Sequence, residues 1–311
     1  NGIGVAAIMS VLAAKDVPHP AIEAMFTIDE ETGMTGAKQL DPAKFSGTIL
    51  LNLDTEEEDE LTIGCAGGLD TNTKGLYQEV PVGDGFVSYN IAIKGLMGGH
   101  SGMDIHKGRA NANKLMNRLL YKASLSFNVR LASLDGGSLR NAIPRESKAL
   151  VVVPVADKDS FVTFVNAFTD VIKEEYKAIE AGLSITCNAA ENPAKVMDPV
   201  YFAKLVRAIY AVPNGVFRMS PDITGLVEAS NNLARVQASE GTFITQSLQR
   251  SSVESTKEDV AFAVSAAFEN MGCEVVQEGD YPGWRPDADS AILRLMLQLY
   301  KQHFLHEPKV G

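Results

Sequence analysis

Residues 27–37, TIDEETGMTGA, place two adjacent glutamates, Glu30 and Glu31, just behind Asp29 and two positions ahead of Gly33. On an extended strand, neighbouring side chains point to opposite faces. The chain must therefore turn at this pair, and Gly33 makes such a turn sterically easy. At a turn from strand to helix, one carboxylate can hold a metal ion while its neighbour faces a substrate. Two divalent cations a few ångströms apart repel each other, so their site needs a bridging anion and flanking carboxylates. A further carboxylate, off the metal, can then take the proton of an activated water. Asp54 joins the candidates because it ends the apolar stretch 48–54, TILLNLD, at the head of the acidic run 54–60. A solvated acidic turn is the plainer reading of either segment alone.

The elements that must position these residues alternate. Residues 2–14 are almost wholly apolar and rich in helix formers, which predicts a buried helix. The stretches 21–29 and 48–54 read as strands. Strands alternating with helices imply an α/β domain with a largely parallel sheet, whose chemistry collects at the carboxyl ends of strands. Both predicted strands end in acid. From about residue 75 the pattern changes, and 86–94 alternates apolar and polar residues like a strand with one wet face. Helices are predicted near 110–121, 160–181, 200–210 and 257–271. Strands are predicted near 128–134, 148–154, 183–188, 225–237, 242–251 and 273–278. This β–α–β–β–α–β rhythm occurs about twice, which predicts an inserted α+β domain with one antiparallel sheet and its helices on one face. The turn-rich YPGWRPD from residue 281 marks its end. The expected domains are 1–74, 75–280 and 281–311, the first and last being parts of one catalytic domain.

The bulk numbers exclude some classes. Of 311 residues, 45% are hydrophobic and 22% charged, as in ordinary globular proteins. A net charge of −11 leaves no basic surplus to neutralise a nucleic-acid backbone. Three scattered cysteines without CxxC spacing suit a reducing compartment. No apolar stretch reaches the roughly 20 residues that cross a bilayer. A cytoplasmic protein is expected. The chain opens at Asn1, inside a predicted helix, so its true N-terminus is expected to lie upstream.

Several motifs in order narrow the reading: NGIG at 1–4, DEETGMTGA at 29–37, NLDTEEE at 52–58, GCAGG at 64–68, GGHSG at 98–102, GGSLRNAIPRE at 136–146, QSLQRSS at 246–252 and YPGW at 281–284. Together they resemble the metallopeptidase family that includes carboxypeptidase G and peptidase T, and within it the aminoacyl-histidine (Xaa-His, PepD or bacterial carnosinase) dipeptidases. The resemblance implies two divalent metal ions, zinc first with manganese or cobalt as alternatives. It implies Glu30 as general base, Glu31 and Asp54 as metal ligands, and His100 reaching across a dimer to stabilise an oxyanion. It implies Asn141 and Arg250 as substrate-binding residues, the Arg meeting a free carboxylate with its planar fork. The substrate would be an unblocked dipeptide, and the inserted domain both lid and homodimer contact.

The sequence departs from that family in lacking a His-x-Asp pair, a bridging Asp and a final His. Only Glu31 and Asp54 of the expected ligands remain, and two carboxylates do not hold two metals tightly. Absent or partial metal occupancy of this chain is therefore expected. Two other readings stay open: a carboxypeptidase or deacylase of the same family, and a non-catalytic dimeric scaffold.

Overall fold

In the computed structural model, residues 2–30, 34–55 and 57–311 are described. They fall into two compact units, Asn1–Ile63 with Ala288–Gly311, and Gly64–Asp287. The second unit starts ahead of the expected boundary at 75, because the strand Gly67–Leu76 pairs with Thr242–Ser251 and Glu274–Tyr281.

The alternation read in 86–94 does form a strand, Phe86–Lys94, with Ile91 and Ile93 wholly buried. It belongs to a nine-stranded sheet in the second unit. Across the sheet the order is Glu274–Tyr281, Gly67–Leu76, Thr242–Ser251, Val227–Ser239, Arg130–Gly136, Ser147–Pro154, Phe86–Lys94, Ser184–Ala190. Gly215–Met219 pairs with Val227–Ser239 off this path, and every pairing is antiparallel.

The predicted rhythm occurs twice within this sheet. One run is Phe86–Lys94, helix Ala112–Ser126, Arg130–Gly136, Ser147–Pro154, helix Lys158–Glu175 and Ser184–Ala190. The other is Gly67–Leu76, helix Pro199–Ala211, Val227–Ser239, Thr242–Ser251, helix Glu254–Glu269 and Glu274–Tyr281. Outward from the middle of the sheet, each run reads second, third, first, fourth strand. The two halves are thus mirror-ordered, and one is inserted into the other after its first strand. All four helices bury side chains in one core, among them Leu119, Phe161, Leu205 and Phe268. Each such side chain contributes on the order of 1.5–3 kcal/mol by leaving water. Val152 faces a smaller cluster with Val82 and Val196, under the antiparallel pair Glu79–Pro81 and Lys195–Met197.

The halves meet where Val236 pairs with Gly136. The strand Val227–Ser239 has a register shift between Leu233 and Arg235, and on its other edge residues 232–235 lie between the pairings with Gly215–Met219 and Arg130–Gly136. Asn113 Nδ2 donates to the carbonyls of Leu233 and Ala234, and Asn111 Nδ2 also donates to that of Leu233. Asn111 meanwhile caps the helix Ala112–Ser126, its Oδ1 accepting from the backbone N–H of Asn113 and Lys114. Gly137 sits at φ +72°, where an added Cβ would lie 1.7 Å from the Ala234 carbonyl oxygen.

The first unit differs more from expectation. The helix Gly2–Ala13 forms, but Gly4 is its only buried residue, while Ile3 is 84% and Met9 59% exposed. Gly4 lets it approach Leu53, where an added Cβ would lie 3.1 Å from the carbonyl oxygen. The strands expected at 21–29 and 48–54 are not formed, and Ile49, Leu50 and Leu51 are exposed. A strand needs a hydrogen-bonded neighbour, and β-forming side chains cannot replace one. The largely parallel sheet is represented among the described residues only by Glu60–Leu61 beside Lys309–Val310. The two segments are instead held by Glu23, whose carboxylate accepts from the backbone N–H of Ser46 and Gly47 and from the Ser46 hydroxyl. These bonds, the one from Gly47 foremost, hold the Glu23 pKa below its ordinary value. Among the described residues no helix is long and apolar enough to cross a membrane.

The junction predicts an asymmetry between two glycines. Gly137→Ala should lower the unfolding free energy by about 2 kcal/mol or more, since it adds a backbone collision to a left-handed φ. Gly83→Ala, at φ +76° with nothing within 4 Å, should cost only about 1 kcal/mol. Urea unfolding of both variants measures the difference.

Candidate functional site

The loop 95–110 builds the setting of His100. Its backbone N–H donates to Asp104 Oδ2 at 2.8 Å, and its carbonyl accepts from the N–H of Asp104. Gly98 and Gly99 both hold positive φ in this loop, and Arg109 clamps it by donating to the Gly98 carbonyl and pairing with Asp104. The His100 ring itself is an acceptor. Its Nδ1 takes the backbone N–H of Gly102 and Met103, each at 3.2 Å. The neutral ring must therefore carry its proton on Nε2, where it is a donor. Burial foremost, and then the positive charge of Arg250, lower the pKa of His100, against the pull of Asp104. The carboxyl of Asp104 is itself held down to about 2, first by the hydrogen bond from Lys107 and then by the backbone N–H of His100.

Asn141 lies beside this loop. His100 and Ala142 form an antiparallel bridge, and the Ser101 N–H donates to the Asn141 carbonyl at 2.8 Å. Asn232 fixes the same turn by donating to the carbonyls of Arg140 and Ala142. Arg250, on Thr242–Ser251, completes the group: a Cβ on Gly102 would lie 3.2 Å from the His100 ring and 3.5 Å from Arg250 Cδ. Arg250 Nη1 donates to the Tyr281 hydroxyl at 3.1 Å. Arg140 supports the floor by donating to Asp70 and Asn72. Asp70 titrates above its ordinary value because burial outweighs the attraction of Arg140. His100 and Arg250 thus lie on either side of Gly102, and the backbone of Asn141 is bonded to the same loop.

In the first unit, the described residues at either end of the DEETG motif are bonded to each other. The N–H of Met34 donates to the Asp29 carbonyl, that of Gly36 to the Ile28 carbonyl, and the Thr35 hydroxyl to the Asp29 carboxylate. Gly36 is required there, since a Cβ would lie 2.6 Å from the Ile28 nitrogen. Asp29 holds φ +62° and Glu30 lies in a turn, while the rest of the expected turn lies outside the described residues. Glu30 follows directly and is exposed. Asp54 is also exposed, its N–H donating to Asn52 Oδ1. Glu31 lies outside the described residues.

Comparison with known proteins follows this geometry. Residues 91–180 match the peptidase dimerisation domain family. The whole chain is 36% identical to the cytosol non-specific dipeptidase of Escherichia coli, over 310 residues. It also superposes over its full length on the crystal structure of aminoacylhistidine dipeptidase from Vibrio alginolyticus, with a TM-score of 0.97 and 38% identity. Along its whole length the chain is similar to these two PepD-like peptidases. It spans 64% of the length of each of these two relatives.

The resemblance read from the sequence motifs is therefore borne out. So are the α+β character of the inserted region and its antiparallel sheet. The metal set is another matter. Among the described residues no group of three or more His, Cys, Asp or Glu side chains could hold a metal ion. Glu30 and Asp54 alone do not fit a pair of divalent cations, which need more donors and a bridge. Sequence reading passed over Tyr281, Asp70 and Arg140. The motifs GCAGG and YPGW held the available signal, because Gly68 and Tyr281 stand in the same row of the sheet as Arg250, on the two strands to one side of it.

The His100 geometry predicts a titration. By NMR, its imidazole should titrate below 6.5, and Arg250→Met should move it upward by removing a positive neighbour. A folded-state pKa below the unfolded value means the unfolded chain binds this proton more readily. Acidification through pH 6.5 should therefore cost stability.

Proposed function

We propose that the protein hydrolyses the peptide bond of unblocked dipeptides, Xaa-His among them, with divalent metal ions. Zinc is the first candidate, and manganese and cobalt the alternatives. The observation that carries this reading is likeness along the entire chain to two proteins named as dipeptidases, at 36% and 38% identity. In this reading Glu30 takes a proton from the attacking water and returns it to the leaving amine. Glu31 and Asp54 contribute metal ligands. The neutral His100 ring presents its Nε2–H to the developing oxyanion. Arg250 meets the substrate carboxylate, and Asn141 holds the substrate beside it. The match of residues 91–180 to a dimerisation domain supports a homodimer formed through this region. The cytosolic relative supports a cytoplasmic location.

Hydrolysis of β-Ala-His, Gly-Gly and an N-acyl amino acid, with added zinc or manganese, tests the proposal. The dipeptides should be cleaved and the N-acyl compound spared. The reverse preference would identify a deacylase, and no turnover of any of the three by the metal-loaded full-length protein a scaffold. Glu30→Gln should lower kcat by roughly 10²–10⁴-fold while leaving KM nearly unchanged.

A further inference from the structure

Tyr281, Gly68 and Arg250 stand in one row across three neighbouring strands. Tyr281 pairs with Gly68 on one side, and Gly68 with Arg250 on the other. Adjacent strands lie about 4.8 Å apart, so Tyr281 and Arg250 begin roughly 10 Å from each other. The missing side chain at Gly68 opens the space between. A Cβ there would lie 2.5 Å from Tyr281 Cε1, because the tyrosine ring occupies that position. The ring crosses the intervening strand, and its hydroxyl accepts from Arg250 Nη1. Arg250 Nε, by contrast, is buried with no hydrogen-bond partner among the described residues. Among the described residues no other hydrogen bond holds the guanidinium.

The tyrosine is fixed in turn by a buried cation. Lys257 projects from the helix Glu254–Glu269 and is only 1% exposed. Its three ammonium protons have three acceptors: the Tyr281 carbonyl at 2.7 Å, Asp280 Oδ1 at 2.7 Å and Glu254 Oε2 at 2.8 Å. Glu254 also accepts the N–H of Gly283. Gly67 lets this turn approach, since a Cβ on it would lie 2.5 Å from the Tyr281 carbonyl. A register shift between Glu278 and Tyr281 re-aims the tyrosine as it leaves the ladder. A lysine this deeply buried, with every donor used, fixes one backbone point and little else.

We propose that Tyr281, anchored by Lys257, is a positioning residue. It sets the orientation of the Arg250 guanidinium and thereby the protein's selectivity for a substrate with a free C-terminal carboxylate. This rests on the reading that Arg250 binds that carboxylate. Planar recognition of a carboxylate needs the fork held in one plane, which a single long side chain does not do unaided.

The test compares a dipeptide with its C-terminal amide, using the metal-loaded full-length protein. Tyr281→Phe keeps the ring and removes only the acceptor. It should raise KM for the acid about 10-fold, with kcat within about 2-fold and the amide unaffected. Lys257→Met should move KM in the same direction, and Lys257→Arg should restore part of the loss. If Lys257→Met does not fold, Tyr281→Phe alone decides. Unchanged kinetics on the acid, or equal losses on acid and amide, would overturn the positioning role. Arg250→Ala separates the two layers. If it treats acid and amide as the unaltered protein does, the carboxylate assignment of Arg250 falls, and this inference with it. If Arg250→Ala erases the preference for the acid while Tyr281→Phe leaves it intact, only the tyrosine's role is lost.

Discussion

The close packing of Gly136 and Gly137 against the irregular strand Val227–Ser239 is the constraint on which the second unit depends. The carbonyls of Leu233 and Ala234 belong to the stretch between two pairings, and a buried carbonyl without a donor is costly. Asn111 and Asn113, from the other half of the sheet, supply those donors. The arrangement closes only if the chain opposite has no side chains. A Cβ on Gly136 would lie 2.0 Å from Asn113 Oδ1, and one on Gly137 still closer to the Ala234 carbonyl. One helix cap, one bulge and two glycines are therefore a single structural decision.

That decision aims the candidate site. The chain leaving Gly137 runs directly into the turn that carries Arg140 and Asn141, and Asn232, one residue before the bulge, grips this turn from below. His100 arrives from the opposite side on a loop pinned by Glu180, whose buried carboxylate accepts the N–H of Met97 and Ala110. Arg250 comes up from the neighbouring strand. Groups distant in sequence converge because each is tied to backbone that cannot shift independently, which is the preorganisation that charge stabilisation requires.

Much of this was legible beforehand. The helices and most strands of the second unit carry clear periodicity, and their doubled rhythm announced one large antiparallel sheet. Gly67–Leu76 escaped because its buried face is made of Gly67, Leu69, Thr71 and Thr73, small or polar residues with no apolar alternation. Thr71 can be buried only because it donates to Gln249, which donates to Asn231 in turn, a chain of partners visible only once the strands are side by side. The meeting of Tyr281 with Arg250 was illegible for a related reason. It depends on a glycine in a third strand and on the register of all three. In the first unit, the apolar runs 21–29 and 48–54 read as strands but form none. Hydrophobic composition gives a segment the capacity to pair and says nothing of its partner.

The nesting of one half inside the other has a kinetic side. The interior half, from Phe86 to Ala190, pairs all four of its strands among themselves, so it can assemble early as the polypeptide emerges. The enclosing half has no such option: Thr71 must wait for Gln249, 178 residues downstream, and loop closure over that span is slow. Until then Gly67–Leu76 is an orphan ribbon with both edges open. Its polar residues and three glycines, poor material for a recognisable strand, are correspondingly poor material for sticking to a neighbour during the wait.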